Sequence, residues 1–159
     1  MLVIFLDIDG VVNIMSPSYN SSAYRPDGSV RWMEEHLVQR LNYLVEKSGA
    51  EIVISSSWRL DMKDLEKQLV KNGFKHWDKV QGETPYFGHR GDEIQKYLVE
   101  HPEVEGYVVL EDEIDDVNGE KCQAIPMDNI VEVDMRNGLS DQNITKAKNI
   151  LYNQEVHDD

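Results

Sequence analysis

Asp7 and Asp9 stand one residue apart at the end of an apolar run, Leu2-Val3-Ile4-Phe5-Leu6, and Gly10 follows them. Two carboxylates this close repel unless a proton or a cation intervenes. Hard oxygen ligands with room left for a phosphate and water suit Mg²⁺. A second polar cluster, Ser55-Ser56-Ser57, closes the apolar run Ile52-Val53-Ile54. A third, Glu111-Asp112, closes Tyr107-Val108-Val109-Leu110. Serine hydroxyls and the backbone amides behind them bind phosphate well, above all near a helix N-terminus. Asp112 and Asp116 are four residues apart after a strand, so both can turn back toward a metal. A basic residue is still needed to balance the charge of phosphate and nucleophile. Arg90, at the start of an expected helix, is the best placed candidate.

These residues act together only if the fold brings them together. The first apolar run reads as a buried strand of a parallel sheet. Alternation along an extended strand would put Asp7 and Asp9 on one side. Residues 13–30, rich in Ser, Asn, Tyr, Pro and Gly, read as a long loop of the functional kind. A helix is expected from Val30 to Lys47, with Met33, Leu37, Leu41, Leu44 and Val45 on one face and Gly49 near its end. Strand Glu51–Ile54 follows, then a helix over Met62–Asn72 capped by Asp61 and stopped at Gly73. Residues 74–89 are irregular with room for one short strand. A helix over Gly91–Glu100, strands at Tyr107–Leu110 and Asn129–Val133, and a last helix capped by Ser140 complete the chain. Strands alternating with helices imply an α/β class, a parallel sheet with helices on both faces. The three polar clusters then line one sheet edge, where such folds bind ligands.

The 159 residues suit one domain, and 40% hydrophobic with 29% charged residues is ordinary for a globular protein. A net charge of −14 disfavours coating of duplex nucleic acid or an anionic membrane surface, though a local basic pocket can still hold one phosphate. Cys122 is the only cysteine, so no intrachain disulfide is possible. The N-terminal run is too short for a membrane span and lacks the flanks of a signal peptide, so a cytoplasmic location is expected.

In order and spacing these motifs resemble the haloacid dehalogenase-like (HAD) phosphatase superfamily over essentially the whole chain. Asp7-Ile8-Asp9 matches the first motif, Ser55 the second, Arg90 the third, and Glu111-Asp112 with Asp116 the fourth. Finer stretches are similar to small HAD domains grouped with RNA-repair proteins, relatives of the phosphatase half of polynucleotide kinase-phosphatases. These stretches are Asp-Ile-Asp-Gly-Val-Val-Asn, Ile-Ser-Ser-Ser-Trp-Arg, Arg-Gly-Asp-Glu-Ile, Val-Leu-Glu-Asp and Asn-Gly-Leu-Ser. The chain departs from many relatives in Glu111, where Asp is common, and in Arg90, where Lys is commoner.

The resemblance implies a Rossmann-like three-layer α/β/α fold with a mainly parallel sheet and a minimal cap. Residues 1–159 would form a single domain with 13–30 as a cap-like loop. It implies Asp7 as nucleophile and metal ligand, and Asp9 as acid and base, its backbone carbonyl on the metal. It implies Ser55 and the Ser56 amide on phosphate, Arg90 as the basic partner, Asp112 on Mg²⁺, and Asp116 and Glu111 behind it. A minimal cap leaves the site open to a bulky substrate, such as a nucleotide or a phosphorylated nucleic-acid end. A small metabolite or a phosphoprotein is the alternative. A receiver-like signalling module or a non-catalytic phosphate-binding domain is a further one. A receiver would carry its phosphorylated aspartate where this chain has Ser55, and the intact Asp7/Asp9 pair speaks against a silent domain. Arg25, Arg59 and Arg90 are the local cations for substrate, and Trp58 or Tyr24 an aromatic platform for a base. For Trp58, packing against the domain competes with that role. Ser57 reads as a helix cap, and His76, His89 and His101 as surface histidines without metal spacing.

Overall fold

The computed structural model describes residues 1–14 and 33–155. The cap-like loop, with Tyr24 and Arg25, lies almost wholly outside them. The strands are β1 (Leu2–Leu6), β2 (Glu51–Ile54), β3 (Val80–Glu83), β4 (Gly106–Glu111) and β5 (Ile130–Glu132). They form one sheet, wholly parallel, in the order β3-β2-β1-β4-β5. The helices are α1 (Glu35–Ser48), α2 (Met62–Lys71), α3 (Arg90–Glu100) and α4 (Asp141–Gln154).

The alternation of β1 divides the core. Leu2, Ile4 and Leu6 pack with Leu37 and Leu41 of α1, Leu65 and Leu69 of α2, and Ile144 and Leu151 of α4. Val3 and Phe5 pack on the other face with Ile94 and Tyr97 of α3. Every residue of β1 is buried, which explains its unbroken apolar run. Truncating Ile4 at its centre to alanine should cost about 2–5 kcal/mol. The result is the three-layer α/β/α arrangement expected. Among the described residues no helix is long and apolar enough to cross a membrane.

α1 begins at Glu35, later than the expected Val30. The Glu34 amide bonds to the Val12 carbonyl at 3.0 Å, and Glu34 is extended, so the chain is tied to the turn after β1 before it can coil. Helix ends follow the local signals elsewhere. Asp61 caps α2 through the Asp64 amide, and Ser140 and Asn143 form a reciprocal capping box on α4. Gly49, at φ +69°, closes α1 in the left-handed conformation that glycine adopts freely.

The chain runs outward from β1 to β2 to β3, then crosses back through α3 to β4 on the far side of β1. The crevice between the carboxyl ends of β1 and β4 is therefore a topological switch point, the usual ligand site of such sheets.

Candidate active site

Leu6 pairs with Ile54 on one side and Leu110 on the other. The next residue of each strand, Ser55, Asp7 and Glu111, therefore stands side by side at the sheet edge. The ladder extends to hold them: Asp7 N–H donates to the Leu110 carbonyl at 3.1 Å and Ser55 N–H to the Leu6 carbonyl at 2.9 Å. All three are within 5% of full burial. By strand parity they share the face of Phe5, Val53 and Val109, which is the face covered by α3.

Arg90, the first residue of α3, meets them there. Its Nη1 donates to Asp7 Oδ1 at 2.9 Å and to the Ser55 carbonyl at 2.7 Å, and lies 3.4 Å from Glu111 Oε2. Asp7, Glu111 and Asp112 each offer a carboxylate oxygen within 4.8 Å of the others. Glu111 Oε1 accepts the amides of Asp112 and Glu113 at 3.2 and 3.1 Å, which fixes the turn that follows β4. An open cleft of about 290 Å³ is lined by Asp7, Asp9, Ser57, Arg90, Asp112 and Met135, among others. A larger hollow of about 480 Å³ on the outer side of α4 is lined by Gln142, Thr145 and Asn149 and gathers no acid cluster. Volume alone does not mark the chemistry.

The buried acids are strained electrostatically. Burial first, then the hydrogen bond and charge of Asp112, push the Asp7 carboxyl up to about 8, with Arg90 opposing. Burial and then the charge of Asp7 push Glu111 well above the usual carboxylate range. Burial alone would lower the Arg90 pKa, but the charges of Glu111 and Asp7 outweigh it and raise it. Asp7 and Glu111 share one nearby arginine, so this pair holds a proton unless a further cation replaces it. An all-oxygen, carboxylate donor set of this kind fits Mg²⁺.

Asp9 lines the same cleft, but its carboxylate is not in that trio. The extended geometry stops after Ile8, because the Val11 and Val12 amides fold back onto the Ile8 carbonyl at 3.1 and 2.9 Å. Asp9 Oδ1 instead accepts Asn13 Nδ2 at 2.9 Å and Trp58 Nε1 at 3.0 Å. Gly10 makes this turn possible with φ +81°. A Cβ there would also collide with the Asp112 carboxylate and lie 3.0 Å from Met135 Cβ.

Ser55 Oγ is buried and has no hydrogen-bond partner among the described residues. An orphaned hydroxyl beside Asp7 is what a phosphate oxygen would satisfy. Ser56, not Ser57, is the cap: its Oγ accepts the Trp58 amide at 3.3 Å at the head of a 3₁₀ turn, Ser57–Asp61. Ser57 lines the cleft. The Ser56 side chain is thereby committed to structure, and the phosphate contact expected of Ser56 is one of its backbone amide.

Asp116 accepts His89 Nδ1 at 2.9 Å and the Arg90 amide at 3.2 Å. It steadies the start of α3, and so Arg90, where the resemblance had set it behind Asp112. Arg59 is a correction of the substrate-cation expectation. It is buried, donating to Thr84 Oγ1 and Glu93 Oε1, both at 2.8 Å, with Tyr86 stacked 4.6 Å from its guanidinium carbon. Glu93 Oε2 takes the Phe87 and Gly88 amides at 2.8 and 3.2 Å. Arg59 therefore braces the segment that delivers Arg90. Trp58 is likewise engaged through its indole N–H and packed against the main core. Asn13 is a functional candidate that sequence reasoning passed over; its place in the run Asp-Gly-Val-Val-Asn was the available signal. His76 pairs with Glu46 at 2.8 Å and His101 with the Tyr97 carbonyl at 2.8 Å, both away from the cleft.

No curated protein matches the chain. The family described as the HAD domain in Swiss Army Knife RNA repair proteins matches residues 3–144, which carry the whole constellation from Asp7 to Asp116, and the chain belongs to that family.

Proposed function

We propose that the protein is a Mg²⁺-dependent phosphomonoesterase that works through an aspartyl-phosphate and acts on a nucleotide or a phosphorylated nucleic-acid end. The observation that carries this reading is the meeting of Asp7, Arg90, Glu111 and Asp112 at one sheet edge while Asp9 is held apart from them. A nucleophile and a proton carrier must not be the same group, and here two neighbouring aspartates have distinct surroundings.

Asp7 attacks phosphorus through a carboxylate oxygen, and the bond to the leaving alcohol breaks. Asp9 gives that alcohol its proton and then takes one from the water that hydrolyses the acyl phosphate, restoring Asp7. Arg90 offsets the charge that gathers on the phosphoryl oxygens, and the Ser55 hydroxyl donates to one of them. Asp7 and Asp112, with Glu111 and the backbone carbonyl of Asp9, would hold the metal. Bound Mg²⁺ supplies charge neutralisation and orientation of the phosphoryl group for in-line attack.

Two features support the substrate class. The matched family is one of RNA repair proteins. Tyr86 and Phe87, exposed at 65% and 58%, stand on the segment leading to Arg90 and offer faces on which an unpaired base can stack. The test is Mg²⁺-dependent phosphate release from 3′- and 5′-phosphorylated oligonucleotides, mononucleotides, sugar phosphates and phosphopeptides. Release that vanishes in Asp7→Asn supports the mechanism. A sugar phosphate preferred by more than about tenfold in kcat/KM, or about 1.4 kcal/mol, removes the nucleic-acid reading.

A further inference from the structure

We infer that Asn13 and Trp58 are positioning residues that clamp Asp9 by Oδ1 and leave Oδ2 as the oxygen that hands over the proton. The inference rests on the phosphatase reading and adds to it which atom of Asp9 acts and what holds it.

Both donors converge on one oxygen, at 2.9 Å from Asn13 Nδ2 and 3.0 Å from Trp58 Nε1. Their direction is settled. An indole N–H can only donate. The Asn13 amide is oriented from its other end, because Asn13 Oδ1 accepts the Gly10 N–H at 2.8 Å. Its Nδ2 must therefore face Asp9. Amide orientation is decided by such networks. Two N–H groups occupy Oδ1, so Oδ2 is the oxygen left to face the leaving alcohol and exchange a proton with it.

Each donor has its own support. Trp58 sits in the 3₁₀ turn that Ser56 caps, and its ring packs against the core. Asn13 lies just past the turn closed on the Ile8 carbonyl. The end of β2 and the turn after β1 thus grip Asp9 from two sides. A carboxylate just before a glycine turn is otherwise free to rotate about its side-chain bonds, and small misplacements of a reacting group cost rate steeply.

The test compares Trp58→Phe and Asn13→Ala with the parent protein on two substrates. For a phosphatase of this type, kcat/KM covers the steps through departure of the alcohol. An alkyl phosphate needs the proton from Asp9 at that point, and p-nitrophenyl phosphate needs it far less. Each variant should lower the ratio of kcat/KM on the alkyl ester to that on the nitrophenyl ester by roughly tenfold, equivalent to about 1.4 kcal/mol. A second readout needs no turnover: the Trp58 indole N–H resonance of the metal-free protein should move when Asp9→Ala removes its acceptor. An equal loss on both esters, or no loss, means a structural role only and overturns the inference. An indole resonance indifferent to Asp9→Ala overturns the clamp itself. A parent protein inert on both esters and on phosphorylated oligonucleotides and mononucleotides overturns the phosphatase reading instead, and the indole resonance then still reports whether the clamp exists.

Discussion

Arg90 Nη1 is 2.9 Å from Asp7 Oδ1 although 83 residues separate the two in the chain. The same nitrogen reaches the Ser55 carbonyl at 2.7 Å. One guanidinium thus ties the first residue of α3 to the ends of β1 and β2. Arg90→Ala removes the only cation near Asp7 and Glu111 among the described residues, and should lower kcat by about 10²–10³-fold, the usual loss for a group aimed at developing charge. Arg90→Lys should recover only part of this, because an ammonium lacks the planar fork. Steady-state kinetics on both variants decide it; equal rates in Arg90→Ala and the parent would remove Arg90 from the mechanism.

The Asp7 carboxyl is pushed up to about 8 from its ordinary 3.8 in the metal-free protein. The folded state therefore keeps a proton that the unfolded chain has already released between those values. Stability of the metal-free protein should fall as pH rises through that window, since stability falls wherever the native state binds more protons. Mg²⁺ takes the place of that proton, so the rise in Tm on adding it should grow from acid to mildly alkaline pH. Thermal melts at a series of pH values, with and without Mg²⁺, give the answer, and a rise that shrinks with pH would contradict the assignment of Asp7 as a ligand.

Gly10→Ala meets two obstacles at once, a φ of +81° and the Asp112 carboxylate in the space its Cβ needs. The conformational part alone costs about 1–2 kcal/mol. Displacement of Asp112 should in addition weaken Mg²⁺ binding, read by titration calorimetry. A variant with reduced Tm but unchanged Mg²⁺ affinity would show that the collision is relieved elsewhere.

Arg59 and Glu93 form an ion pair at 2.8 Å with side chains 3% and 1% exposed. Removing one partner strands a buried charge, so Arg59→Met or Glu93→Met should each destabilise by about 3–5 kcal/mol. The double variant should lose less than the sum, because neither charge is left alone. Chemical denaturation of the three proteins measures the coupling; strict additivity would mean the pair contributes nothing as a pair.

Tyr86→Ala should raise KM for a phosphorylated oligonucleotide by roughly tenfold, within the range of about 1–3 kcal/mol per stacked base. The change for p-nitrophenyl phosphate should be small by comparison. The same KM shift on both substrates would point to displacement of the Arg59 brace, which Tyr86 covers, rather than to a lost base contact.

The layered fold and the order of the strands' polar ends are legible in the residue types alone. That information is local: β1 reads as a buried strand because all five of its residues are apolar, and α2 and α4 carry their own caps. β3 was barely visible, since Val-Gln-Gly-Glu has neither an apolar run nor a steady alternation, and only its pairing with β2 makes it a strand. The long-range partners follow from packing rather than from residue type. Arg59 and Arg90 carry the same charge and both follow strand or loop signals, yet one is buried against Glu93 and the other faces Asp7. Asp7 and Asp9 are both aspartates two positions apart, yet the turn at Gly10 gives one to the carboxylate trio and the other to Asn13 and Trp58. Residue type states what a side chain can bond to, whereas the bonds that Arg59 and Arg90 make depend on groups 25 to 83 positions away that only the closed sheet brings within 3 Å.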